Sequence, residues 1–166
     1  SGRPDLLRMH LAKSRGLRAF SIVEVLIVVV MVGIMAAILI PQFGGVTQDA
    51  KAGAVEGALA GVRSGIAGFR SKAILSGVPP FPTISELTTV GRVLQTPIPK
   101  NPYNNLATVQ AVTQAQAAAR AVVGTAGWNY YVDNDADPPT AIFYANSSDV
   151  TTIPNGSGGF KTANQL

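Results

Sequence analysis

Two hydrophobic patterns follow one another along the first half of this chain. From Val25 to Ile40 every position is apolar or glycine, sixteen residues in all. Such a run has no polar face, so it suits a helix surrounded by hydrocarbon. It falls slightly short of the ~20 residues that cross a bilayer, and Phe20–Val23 extends it. Glu24 is the only charge in the stretch from Phe20 to Phe43. From Val55 the pattern changes. Val55, Leu59, Val62, Ile66, Phe69 and Ala73 are spaced 4, 3, 4, 3, 4, which predicts one buried face of an amphipathic helix. Gly77 and Pro79–Pro80 end it. The two patterns join into one predicted helix over 20–76, 57 residues, which at ~1.5 Å per residue is roughly 85 Å. Residues 20–43 form its apolar half and 44–76 its amphipathic half. Pro41 and Gly44–Gly45 lie at the junction and are expected to bend or loosen it.

Two further faces of the second half are patterned. Gly53, Gly57, Gly61 and Gly65 recur every four residues, roughly opposite the apolar stripe. They are either a surface under little constraint or a place where a neighbouring helix backbone comes close. Asp49, Glu56, Arg63 and Arg70 recur every seven, as a solvated face or as partners for a staggered neighbour.

Residues 77–166 predict a small head. Thr83 and Glu86 in TISEL fit a capping box, so a short helix follows Thr83. WNYYVD (Trp128–Asp133) and AIFYAN (Ala141–Asn146) are aromatic and β-branched and are separated by a turn rich in Asn, Asp and Pro. They predict a β-hairpin over 128–146. Residues 107–127 are rich in Ala, Gln, Val and Thr, and both a helix and a low-complexity loop stay open there. The tail from Asn155 is rich in Gly, Ser and Asn and is expected to be loose. The fold class is α+β: a long N-terminal helix packed on a small C-terminal head with an antiparallel hairpin or small sheet.

Charge changes the picture less than the sequence pI of 9.7 suggests. Arg3, Arg8, Lys13, Arg15 and Arg18 against Asp5 account for the whole net charge of +4. Residues 20–166 hold eight basic and eight acidic side chains, so the body has no standing footprint for nucleic acid. The basic segment 1–19 reads instead as the cytoplasmic side of an anchor. The chain has no Cys, which excludes a disulfide framework and thiol catalysis. Its one His, His10, lies in the basic segment, so the body lacks the usual residues of zinc sites and nucleophile–base pairs. No catalytic constellation is present, and the expectation is a non-enzyme.

A carboxylate inside a membrane-length span is costly and is usually there for function. The stretch RAFSIVEVLIVVVMVGIMAAILIPQF (Arg18–Phe43) resembles the processing and assembly signal of type IV pilins and type II secretion pseudopilins. In that family a leader is cut before a Phe, a Glu is the fifth mature residue, and Gly and Pro commonly stand at the fourteenth and twenty-second. Phe20, Glu24, Gly33 and Pro41 fall in that register. The residue before the cut is normally Gly and here is Ala19, which is still small. TPIPKNPYNN (Thr96–Asn105) more loosely resembles a loop of major pseudopilins in which the helical half meets the strands.

The resemblance implies a leader over 1–19, cleavage by a prepilin peptidase between Ala19 and Phe20, and N-methylation of Phe20. It implies single-pass insertion in a bacterial inner membrane with the head in the periplasm. It further implies polymerisation into a helical homo-polymer, a pseudopilus, acting with an inner-membrane secretion platform and minor pseudopilins. Glu24 would pair with the new amino group of Phe20, its own or a neighbour's. A major type IV pilin for adhesion, motility or DNA uptake is the nearest alternative, and the absence of Cys leans toward the pseudopilin. A membrane-anchored binding module that never polymerises is the alternative of another class. No cofactor is required. The dense acidic turn Asp133, Asp135 and Asp137 is a candidate calcium site, since major pseudopilins often bind calcium near their C-terminal strands. It is not an EF-hand, with Pro138 and Tyr144 at the sixth and twelfth positions. A solvated turn accounts for the same residues.

Overall fold

The computed structural model describes residues 20–166, apart from the side chains of 40–44. The expected leader 1–19 and the cleavage residue Ala19 lie outside the described residues. One long helix, α1 (Ile22–Ser76), opens the chain. It begins two residues later than Phe20, because Ser21 caps it: the Ser21 hydroxyl accepts from Val23 N at 3.3 Å and its carbonyl from Glu24 N at 3.0 Å. It ends where Gly77 takes φ +65. There Val78 N reaches Ala73 O at 3.1 Å and Gly77 N reaches Ile74 O at 3.4 Å, a Schellman closure that favours glycine. Helical backbone continues through Pro41, Gly44 and Gly45. By internal contacts the chain forms two units, 1–41 and 42–166.

The second unit holds the head. Helix α2 (Ile84–Thr88) starts on the capping box: Glu86 N donates to Thr83 Oγ1 at 3.3 Å, and Thr83 N donates to Glu86 Oε2 at 2.9 Å. Strand β1 (Val109–Ala111), helix α3 (Gln114–Ala118), β2 (Trp128–Asp133) and β3 (Thr140–Ala145) follow. β2 and β3 pair antiparallel with Tyr130 opposite Phe143 and Trp128 opposite Ala145. β1 adds parallel to β2, giving a three-stranded sheet in the order β1-β2-β3. The period-two alternation of the hairpin decides what each face does. Trp128, Tyr130, Phe143 and Ala145 join Val55, Leu59, Val62 and Ile66 of α1 in the main core, with Trp128 and Phe143 stacked at 5.4 Å. Tyr144 on the opposite face packs with Val112 and Ala117. The predicted apolar stripe of α1 is therefore the buried one, with Phe69 only half-buried.

Two expectations need revision. Residues 107–127 contain both a strand and a short helix. The chain end is not loose: β4 (Val150–Pro154) and β5 (Phe160–Thr162) form a two-stranded sheet, and a 3-10 turn over Ala163–Gln165 buries Ala163 completely. The Asn155 side chain closes the hairpin between them by accepting from Ser157 N at 2.9 Å and Gly159 N at 3.1 Å.

Candidate functional site

The first unit is set by Ile22–Leu39, eighteen residues with a mean hydropathy of 3.0. It is long and apolar enough to cross a membrane, and a membrane anchor or a signal sequence would have this length and composition. Its apolar side chains are exposed throughout: Val25, Val28 and Met31 keep half or more of their surface open. Phe20 precedes the helix and is exposed. Glu24 is the acid of the first turn. Ser21 at the cap and Glu24 three residues on have capping-box spacing, and a carboxylate there also faces the positive end of the helix dipole. Gly33 is helical, and a Cβ added to it would meet nothing within 4 Å. Pro41 is helical in backbone.

In the second unit the glycine ridge splits. A Cβ on Gly53, Gly57 or Gly61 would meet open space. One on Gly65 would stand 2.5 Å from Leu94 Cδ2 and 3.3 Å from Val93 O, so Gly65 lets the loop after α2 lie against the helix. The charged face also divides. Arg63 Nη2 donates to Phe143 O at 3.0 Å and Leu166 O at 2.9 Å, tying helix, sheet and chain end together. Burial, then the nearby charge of Arg120, holds the Arg63 pKa below its ordinary value. Arg70 lies 5.0 Å over the Phe81 ring. Both basic residues thus serve the head of their own chain.

The acidic turn is built mainly by Asp133 and Asn134. Asp133 Oδ1 accepts from the backbone N–H of Asp135 and Ala136, each at 3.0 Å, and Oδ2 accepts from the Tyr131 hydroxyl at 3.2 Å. Asn134 clasps the Phe81 backbone with two bonds of 2.9 Å. Among the described residues no group of three or more acidic, His or Cys side chains is gathered to hold a metal ion, so Asp133, Asp135 and Asp137 stand in one turn without converging.

Pattern reading missed an asparagine network under the sheet. Asn101, Asn129 and Asn146 are buried. Asn146 donates to Val123 O at 2.7 Å and Ala126 O at 2.8 Å and accepts from Asn129 Nδ2 at 3.0 Å. Gln110 Nε2 donates to Asn129 Oδ1 at 2.7 Å. Asn101 donates to Gly127 O at 2.8 Å, and Trp128 Nε1 donates to Pro99 O at 2.8 Å. The Thr96–Asn105 segment therefore docks on the start of β2. Asn is common in turns for local reasons, and only its burial separates these residues from turn formers.

No protein-family model, curated protein or solved structure matches this chain.

Proposed function

We propose that this chain is a non-enzymatic structural subunit of the pilin-like class, most closely a type II secretion pseudopilin. The observation that carries the reading is the division of α1. Its first eighteen residues are apolar on every side and exposed, with a single carboxylate in the first turn, whereas Val55–Ala73 bury one stripe under a small α+β head. The first part suits a membrane and, after assembly, a filament core. The second carries the head into the periplasm. Phe20 is exposed just ahead of the helix, the position at which a peptidase would leave the mature N-terminus. Head-to-tail contacts that do not close into a ring give helical filaments.

Treating the full chain with a prepilin peptidase is expected to remove residues 1–19 and leave N-methylated Phe20. An uncut N-terminus on assembled protein, read by mass spectrometry, refutes the proposal. Shearing cells separates a filament subunit from a lone anchored module, since only the former appears in the sheared fraction. Deleting the gene then distinguishes secretion, through lost exoprotein, from pilus functions, through lost motility or DNA uptake.

A further inference from the structure

Three guanidinium groups line one cleft of the head. Arg63 and Arg70 enter it from α1 and Arg120 from the end of α3, between walls that include Ile66, Phe81 and Ile142. Protein acceptors satisfy these cations only in part. Both hydrogen bonds of Arg63 leave from Nη2, so its Nε and Nη1 have no acceptor among the described residues. Arg70 and Arg120 lie over ring faces, Phe81 at 5.0 Å and Tyr144 at 5.3 Å, contacts that occupy none of their N–H donors. Arg120 Nη1 is buried with no hydrogen-bond partner. A buried donor in that state is costly unless something else accepts from it. The charges of Arg63 and Arg120 also oppose one another, and among the described residues no Asp or Glu side chain is the acceptor in any of these contacts.

The backbone at Arg120 adds an independent point. α3 ends in a Schellman closure, with Arg120 N donating to Ala117 O at 3.2 Å and Ala121 N to Gln116 O at 2.8 Å. Arg120 holds the left-handed position at φ +52, where glycine costs least. The chain places its longest cation at a strained backbone position and turns it into a cleft that already holds two others. Strain of this kind collects at functional positions.

We propose that this cleft binds an oxyanion of the phosphate type. Guanidinium forks match such a group through paired N–H donors, and the apolar walls strengthen the attraction by excluding water. The site draws on the amphipathic part of α1 and on the head, not on residues 20–43, and does not depend on the chain forming filaments. The phosphate could be free or could belong to a phospholipid headgroup.

The test uses the full chain in phosphatidylcholine nanodiscs, titrated with inorganic phosphate at constant ionic strength by calorimetry. Saturable binding at millimolar phosphate is expected. Arg120→Gln and Arg70→Gln should each weaken it by about tenfold, the loss of one charged hydrogen-bonding group. Arg92→Gln, an exposed position outside the cleft, should change nothing. Adding phosphatidylglycerol to the discs separates the sources: loss of phosphate binding identifies the headgroup as occupant, and unchanged binding identifies the free ion. Arg120→Gln could unfold the end of α3, and in that case Arg70→Gln, whose side chain contacts one ring, decides. Absence of saturable phosphate binding, or equal losses in Arg92→Gln and Arg70→Gln, overturns the proposal.

Discussion

Gly127 marks the tightest point of the head. A Cβ there would fall 1.9 Å from Leu106 O, a backbone atom held in place because Leu106 O itself accepts from Asn101 N at 2.9 Å. Gly127→Ala must therefore push the Asn101–Leu106 loop off the sheet, with a loss of roughly 3 kcal/mol or more, at the high end of overpacking costs. A fall in the thermal midpoint of the full chain in detergent would show it. Asp133 poses the opposite problem of one residue with two readings. Its carboxylate caps two backbone N–H groups, so Asp133→Ala should cost about 1–2 kcal/mol whether or not an ion is present. Calcium at Asp133, Asp135 and Asp137 is a separate proposal, because an ion that binds only the folded head raises its stability by mass action. Melting in millimolar calcium and in chelator decides it. A higher midpoint in calcium, erased by Asp135→Ala, supports the site, and equal midpoints remove it.

Among the elements, α2 shows how much a local signal can specify. The Thr83–Glu86 box was legible from spacing alone because both of its hydrogen bonds join residues three apart. The amphipathic part of α1 and the β2–β3 hairpin were legible for a similar reason: period and residue type act within each segment. β1, α3 and the chain end were not. Residues 107–127 have no strong period, and their backbone carbonyls are held by side chains outside the segment, Asn129 on β2 and Asn146 at the end of β3. β5 lies in a glycine-rich stretch, and Thr151 Oγ1 fixes its edge by donating to Lys161 O at 2.8 Å. The spacing of Arg63 and Arg70 was visible, but their partners come from the head. α2 also carries a pH prediction. The Thr83 backbone N–H, then the Thr83 hydroxyl, hold the Glu86 pKa below its ordinary value. Because the folded value is depressed, this stabilisation is present above the unfolded pKa of ~4.3 and is lost as pH falls through the lower folded value. The hydrogen bonds between Thr83 and Glu86 lie at the surface, so the effect is small. Glu86→Gln should keep the capping geometry and flatten this part of the acid limb of a stability–pH curve, with little change at pH ~7.

At the scale of the whole molecule the proposed function turns on one carboxylate in an otherwise apolar segment. Glu24 has two physical roles open to it. It stands third in α1 behind the Ser21 cap, where a Glu can satisfy backbone donors and the helix dipole. In the proposed filament it also neutralises the amino group of Phe20, in the same subunit or a neighbour. Opposite charges ~4 Å apart attract far more strongly in a low-dielectric medium than in water, which would fix the axial register between subunits. Two substitutions separate these roles. Glu24→Ala removes both the cap and the charge, while Glu24→Gln keeps a side chain able to cap and removes only the charge. Membrane insertion should survive both, since each takes a costly charge out of the span. If the charge sets the register, both variants reach the membrane and both fail to yield sheared filaments. If Glu24 serves only the helix start, Glu24→Gln assembles nearly as well as the unmutated chain. Filaments at full yield from Glu24→Ala would leave the carboxylate without a part in assembly, and the pilin-like proposal would lose its main physical support.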